Sequence, residues 1–255
     1  MTTVATVFDP AVDQIVRVLC FAAHPDDIDF GAAGTVAQWT RAGVVVDYCI
    51  MTDGDAGGFD PEGQSEIVRT RRAEQLAAAQ QVGVREIHYL GERDGFLEAS
   101  TEVIKQVVAV IRRVRPDVVL AMHPERNWDR IQKSHPDHLA CGEAVTRAVY
   151  PAAENPFAFP DLEAAGLASH RVPWLWLYAG PSHLENHFVD VTDTVDDKLR
   201  ALHFHTSQHP DSDRMDAVVR QLLRDNAARG GLPAGRSAEV FHVVPVNSAQ
   251  TIAGF

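Results

Sequence analysis

The segment Ile15-Val-Arg-Val-Leu-Cys-Phe-Ala-Ala23 is almost continuously apolar and ends at His24-Pro25-Asp26-Asp27. A strand of that composition is covered on both faces, as in parallel sheets flanked by helices. The rest of the chain repeats the theme. Gly31 to Ala42 reads as a helix, Val44 to Met51 as a second buried strand, Ser65 to Val82 as a helix and Glu86 to Leu90 as a short strand. Between Thr101 and Arg115 the apolar residues Ile104, Val107, Val108, Ile111 and Val114 recur at helical spacing, Pro116 stops the helix, and Asp117 to Met122 is again a strand. A helix after His135, a strand near Val172 to Ala179, a helix from Thr192 to His205 and a strand near Val240 to Val244 complete the series. This alternation predicts an α/β fold with a Rossmann-like, mostly parallel sheet and helices on both faces. The Pro-rich stretch from Pro151 to Pro173 is read as an insertion or lid within one domain covering residues 1–255, because strands resume after it.

With 255 residues the chain can bury a sizeable core without disulfides. Its net charge of -12 argues against nucleic acid or an anionic membrane as a partner for the surface as a whole. No apolar run approaches the ~20 residues of a membrane span, and MTTVATVFDP lacks the basic and apolar regions of a secretory signal. Cys20, Cys49 and Cys141 are scattered without a CxxC pair, and the first two sit in apolar runs. Buried cysteines of this kind fit a reducing compartment. The expectation is a soluble cytoplasmic protein acting on a small molecule, and a homo-oligomer is compatible with the sequence.

Ligands of doubly wound sheets bind beyond the carboxyl ends of the strands, where His24-Pro25-Asp26-Asp27 lies. A histidine and two carboxylates within four residues can supply two metal ligands and leave one carboxylate over. Pro25 restricts His24 to non-helical backbone, so His24 and Asp27 can converge while Asp26 faces the open side. The competing reading is that Asp26 or Asp27 caps the next helix. No GxGxxG occupies this turn, and Gly31 and Gly34 come later, so a dinucleotide site is not supported. Ser134-His135-Pro136-Asp137-His138, after the fourth strand, repeats the pattern. Two histidines and one aspartate suit Zn²⁺ and leave positions for water and substrate. Caps need no histidine, so two such clusters favour a catalytic metal site.

These residues carry a family resemblance. The chain resembles the N-acetylglucosaminylphosphatidylinositol deacetylase family, also called LmbE-like deacetylases, at Ala23-His24-Pro25-Asp26-Asp27 and at His135-Pro136-Asp137-His138. Weaker similarities lie at Thr52-Asp53-Gly54, Arg71-Arg72-Ala73-Glu74, Leu90-Gly91-Glu92-Arg93-Asp94-Gly95 and Ser207-Gln208. The resemblance implies that His24, Asp27 and His138 bind zinc, with iron or another divalent metal as alternatives. It also implies that Asp26 is the general base and that His135 faces the reacting carbonyl. Where the family often has Glu after the first motif, this chain has Ile28 followed by Asp29.

On that resemblance the expected activity is zinc-dependent N-deacetylation of a GlcNAc-type amino-sugar conjugate. Asp26 would take the water proton and return it to the leaving amine. Protonated His135 would donate to the oxyanion, and Asp137 would orient a histidine, His135 being the expected one, or cap its helix. Asp53, Arg71, Asp94 and Trp128 are candidate substrate contacts. For Arg71 the competing reading is a surface ion pair with Glu74. For Trp128 it is a structural anchor. Two other functions stay open: an amidase or deacylase for a non-sugar amide, and a non-catalytic sugar-binding member. Asp26 and His135 speak against the last, since metal binding alone needs neither.

Overall fold

A computed structural model describes residues 15–58 and 64–247. β1 (Arg17–Ala22) carries the opening apolar run, and five of its six residues are buried. α1 (Asp27–Arg41) returns the chain to β2 (Val45–Thr52), α2 (Ile67–Gln81) leads to β3 (Glu86–Glu92), and α3 (Thr101–Val114) to β4 (Val118–Met122). Next come α4 (Pro136–Arg147), a short α5 (Pro160–Ala164), β5 (Trp174–Tyr178), β6 (His187–Asp190), α6 (Val195–Leu202), α7 (Ser212–Arg229) and β7 (Ala238–Pro245). The seven strands are ordered β3-β2-β1-β4-β5-β7-β6. The first five run parallel, while β7 pairs antiparallel with β5 and β6. The sheet is thus mostly parallel, as its apolar strands require, with an antiparallel edge.

α1 and α2 pack with α6, and α3 packs with α4. One cluster of buried apolar side chains runs through β1, β2, β4 and β5 and the helices on them. α3 shows how sequence sets an element. Ser100 caps it by accepting a bond from the Val103 amide at 3.2 Å, its buried stripe includes Ile104, Val107, Val108, Ile111 and Val114, and Arg115 ends it in left-handed backbone. Cys20, Cys49 and Cys141 are buried and unbridged. Trp176 is buried against Trp39, with ring centroids 5.3 Å apart.

Three expectations need correction. α1 begins at Asp27, a full turn before Gly31, because the Phe30 amide already bonds the Asp26 carbonyl at 3.0 Å. β6 and the 18-residue α7 were not anticipated. The signal for α7 was present: Asp211 accepts from the Arg214 amide at 3.0 Å, and Met215, Val218, Val219, Leu222 and Leu223 follow at helical spacing. Residues 151–173 are no lid. The buried Arg112 on α3 donates to the carbonyls of Ala152, Ala153, Asn155 and Leu167, and His170 bonds the Pro116 carbonyl at 2.8 Å. Pro116 precedes β4, so the segment sits at the amino ends of the strands, away from both histidine motifs. No helix among the described residues is long and apolar enough to cross a membrane.

Candidate active site

β1 and β4 are adjacent, yet β1 leads on to β2 while β4 leads on to β5 on its other side. This reversal opens a crevice at the carboxyl ends of the strands, the usual ligand position in such sheets. His24 and Asp27 reach it from β1 and α1, and His135 and His138 from the start of α4. The three imidazoles crowd together, with ring centroids 5.0 Å apart for His24–His135, 5.3 Å for His24–His138 and 5.5 Å for His135–His138.

Hydrogen bonds around the cluster fix which nitrogen each ring presents. His24 Nε2 lies 3.0 Å from Asp94 Oδ1 and 3.1 Å from Asp137 Oδ2, so it carries the hydrogen. His138 Nδ1 lies 3.2 Å from the Lys133 carbonyl and donates to it. The remaining nitrogens, His24 Nδ1 and His138 Nε2, stand 3.3 and 3.2 Å from the two oxygens of Asp27. Three acceptors thus converge, two imidazole nitrogens and the Asp27 carboxylate. Ligand atoms about 2.0–2.1 Å from a tetrahedral ion lie roughly 3.3 Å apart, so this donor set fits a single divalent cation. His135 is the other nitrogen donor within reach, but its Nδ1 accepts the Asp137 amide at 3.3 Å, which leaves the hydrogen on Nε2.

The charge balance agrees. Burial disfavours a charged His24, but the carboxylates of Asp137, Asp27 and Asp94 outweigh it and push the pKa up to about 12. His138 is raised in the same way by Asp27, against its burial. Asp27 is held well below the carboxylate range by His138 and His24 despite being buried. The pocket of buried carboxylates therefore demands positive charge, which a proton or a metal ion can supply.

Asp26 stands apart from this set. Its backbone is left-handed, with φ of 96°, and its side chain caps nothing, so the capping alternative fails for Asp26. Such backbone is costly for a residue with a Cβ and needs outside support. Gln75 supplies it: Oε1 accepts the Asp26 amide at 2.8 Å, while Nε2 donates to the fully buried Asp29 at 2.9 Å. His205 Nε2 completes the relay at 2.8 Å from Asp29. The Asp26 carboxylate faces Arg71 at 3.5 Å and His209 at 3.4 Å. Gln75, His205 and His209 were missed from sequence; a lone Gln on a helix carries no signal of its role. Asp29, the departure from the family pattern, is a supporting residue here.

One sequence assignment changes. Asp137 is fully buried and serves His24 rather than His135, with its carboxylate also accepting the Gly95 amide at 2.7 Å and the Leu97 amide at 3.2 Å. The Asp137 carboxylate caps no helix; that position belongs to His135. Burial and neighbouring His24 lower the His135 pKa.

Among the substrate candidates, Arg71 is buried and does not pair with Glu74. It donates to the carbonyls of Pro25 at 2.8 Å and Gly54 at 3.2 Å and lies 3.7 Å from Asp94. Glu74 instead binds Ser207, which ties the Ser207-Gln208 turn to α2. Side chains at Gly54 or Gly57 would overlap the Arg71 guanidinium, which accounts for the glycines of that loop. Asp94 faces His24 within the crevice, whereas Asp53 is tied to Arg72 at 2.5 Å. Trp128 is 79% exposed, with the Arg126 guanidinium 5.6 Å from its ring.

The sequence of residues 19–149 matches the family model described as GlcNAc-PI de-N-acetylase. The diacetylchitobiose deacetylase of Thermococcus kodakarensis is 36% identical over 91% of this chain and 85% of its own length. A Bacillus anthracis protein named probable N-acetyl-alpha-D-glucosaminyl L-malate deacetylase 2 is 30% identical over 75% of this chain and 81% of its own. The solved structure of N,N'-diacetylchitobiose deacetylase from Pyrococcus horikoshii, in complex with an inhibitor, superposes with a TM-score of 0.84 at 30% identity, covering 96% of this chain and 91% of that one.

Proposed function

The chain belongs to the GlcNAc-PI de-N-acetylase family, and from that premise we propose that it hydrolyses the N-acetyl group of a GlcNAc-type amino-sugar conjugate with one divalent metal, zinc by preference. The observation that carries this reading is the separation of roles at one turn: Asp27 faces His24 and His138, while Asp26 is held beside them and engaged by none of the three. A metal-binding protein has no use for that second carboxylate.

His24 Nδ1, Asp27 and His138 Nε2 would hold the metal, and Asp137 would keep His24 in the required tautomer. A divalent ion there would acidify a water and polarise the acyl oxygen. Asp26 accepts the proton of the attacking water and returns it to the departing nitrogen. His135, its Nδ1 engaged by the Asp137 amide, donates a hydrogen bond from Nε2 to the carbonyl oxygen as charge develops on it. Arg71 and Asp94, 3.7 Å apart, would contact sugar oxygens. The amino sugar is supported by the names of relatives that span most of the chain. Buried, unbridged cysteines accord with a cytoplasmic location.

The test is acetate release from N-acetylglucosamine and N,N'-diacetylchitobiose by protein reconstituted with Zn²⁺. Turnover that disappears in Asp26→Ala while the metal stays bound supports the assignment. Turnover that survives in that variant contradicts it.

A further inference from the structure

A cavity of about 250 Å³ opens against Asp27 and His138 on the side of the crevice away from Asp26, Arg71 and Asp94. Most of its exposed wall is apolar, from Phe30 on α1, Met122 on β4, Tyr178 on β5, Val219 and Leu223 on α7, and Val240 on β7. Lys198 and Glu239 also line it, but they do not call for a polar guest. The Lys198 ammonium is 2.7 Å from Glu239 and donates to the carbonyls of Asp29 and Phe30, while Glu239 accepts the amides of Gly34 and Thr35. Glu185 pairs with Arg229, Asn226 bonds the Ala238 carbonyl and Arg229, and Lys133 and the exposed Arg130 and Gln132 come from the segment before α4. Most of the surface that the cavity offers a guest is apolar.

An amide carbonyl held at this centre has two substituents pointing in opposite directions. The amine side carries the sugar, whose hydroxyls match the charged groups at the ends of β2 and β3. The acyl side then faces the apolar cavity beside His138. A single methyl group occupies only a small part of 250 Å³, and an apolar cavity gains nothing by holding water. Each methylene transferred from water into such a site contributes roughly fourfold to binding.

We propose that this cavity is an acyl-chain pocket, so that the enzyme removes linear saturated N-acyl groups of about four to six carbons as well as acetyl. The inference rests on the deacylase reading above and deepens it. Atoms balance as in any amide hydrolysis: water adds its oxygen to the carbonyl carbon, the C–N bond breaks, a proton passes to nitrogen, and the products are a short-chain carboxylic acid and a free amino sugar.

The experiment measures kcat/KM for N-acetyl-, N-butanoyl- and N-hexanoylglucosamine by amine release. It compares metal-reconstituted wild type with Val219→Phe and Leu222→Trp, which fill the α7 wall and the partly exposed position beside it. Wild type is expected to cleave the hexanoyl amide with an efficiency at least equal to that for acetyl. Each filling variant should lower the hexanoyl-to-acetyl ratio tenfold or more. That ratio does not depend on how much of a preparation is folded. Wild-type efficiency for hexanoyl a hundredfold below acetyl overturns the pocket and leaves the deacetylase reading intact, as does a ratio that neither variant moves. Turnover of none of these amides overturns the deacylase reading itself.

Discussion

α1 has buried charge at two places, and they are built to opposite rules. Alongside its first two turns, the Lys198 ammonium has three acceptors and the Glu239 carboxylate is met by Lys198 and two backbone amides, so each charge is answered within the protein. At its amino end, Asp27 lies between two imidazole nitrogens, while Asp94 and Asp137 converge on the opposite nitrogen of His24. Arg71 stands 3.7 Å from Asp94, but no ammonium or guanidinium among the described residues pairs with Asp27 or Asp137. A closed pair of buried charges stabilises one conformation. An open set stores binding energy for whatever cation enters, so charge balance around each group, rather than burial alone, separates a structural cluster from a working one.

The contrast breaks most visibly with His138→Ala. Loss of a ligand from the open set should abolish metal retention and turnover, measured by elemental analysis and acetate release, with little change in the circular dichroism of the fold. Asp26→Asn comes next: turnover should fall on the order of 10²–10⁴-fold with metal content unchanged. In the closed pair the effect moves from activity to stability. Lys198→Ala strands Glu239 and should cost roughly 3–5 kcal/mol of unfolding free energy in urea denaturation. Asp137→Asn retains the shape but weakens the hold on His24, so metal affinity should fall about 10–100-fold in a chelator competition.

A further effect concerns pH. The His123 ring donates to His242 at 3.0 Å, and burial together with that neighbour lowers its pKa to about 4 from 6.5. The unfolded chain therefore binds a proton that the folded one refuses in this window. The stability contributed by His123 is complete above pH 6.5 and is lost as pH falls towards 4. His123→Gln should flatten the slope of unfolding free energy against pH between those values, and an unchanged slope would show that His123 does not carry it.

Sequence patterning exposes part of this molecule and hides another part for definite reasons. Strands β1, β2 and β4 are apolar on both faces and stand out, as do two His-Pro-Asp motifs at strand ends. β6 has only four residues, His187–Asp190, and its alternation is too short to register. In the site, residue types announce ligands but not hydrogen-bond partners. Asp137 is adjacent to His138 and near His135 in sequence, yet it serves His24, 113 positions away, because α4 and β1 meet at the crevice. The Gln75–Asp29–His205 relay behind Asp26 spans three elements and has no local signature.

The central claim is that the open charge set holds a metal on which amide hydrolysis depends. Acetate release from N,N'-diacetylchitobiose, followed in one preparation before chelation, after chelation and after addition of one equivalent of Zn²⁺, addresses it directly. The account predicts activity, then none, then recovery with one metal per chain. Undiminished acetate release from chelated, metal-free protein would contradict it.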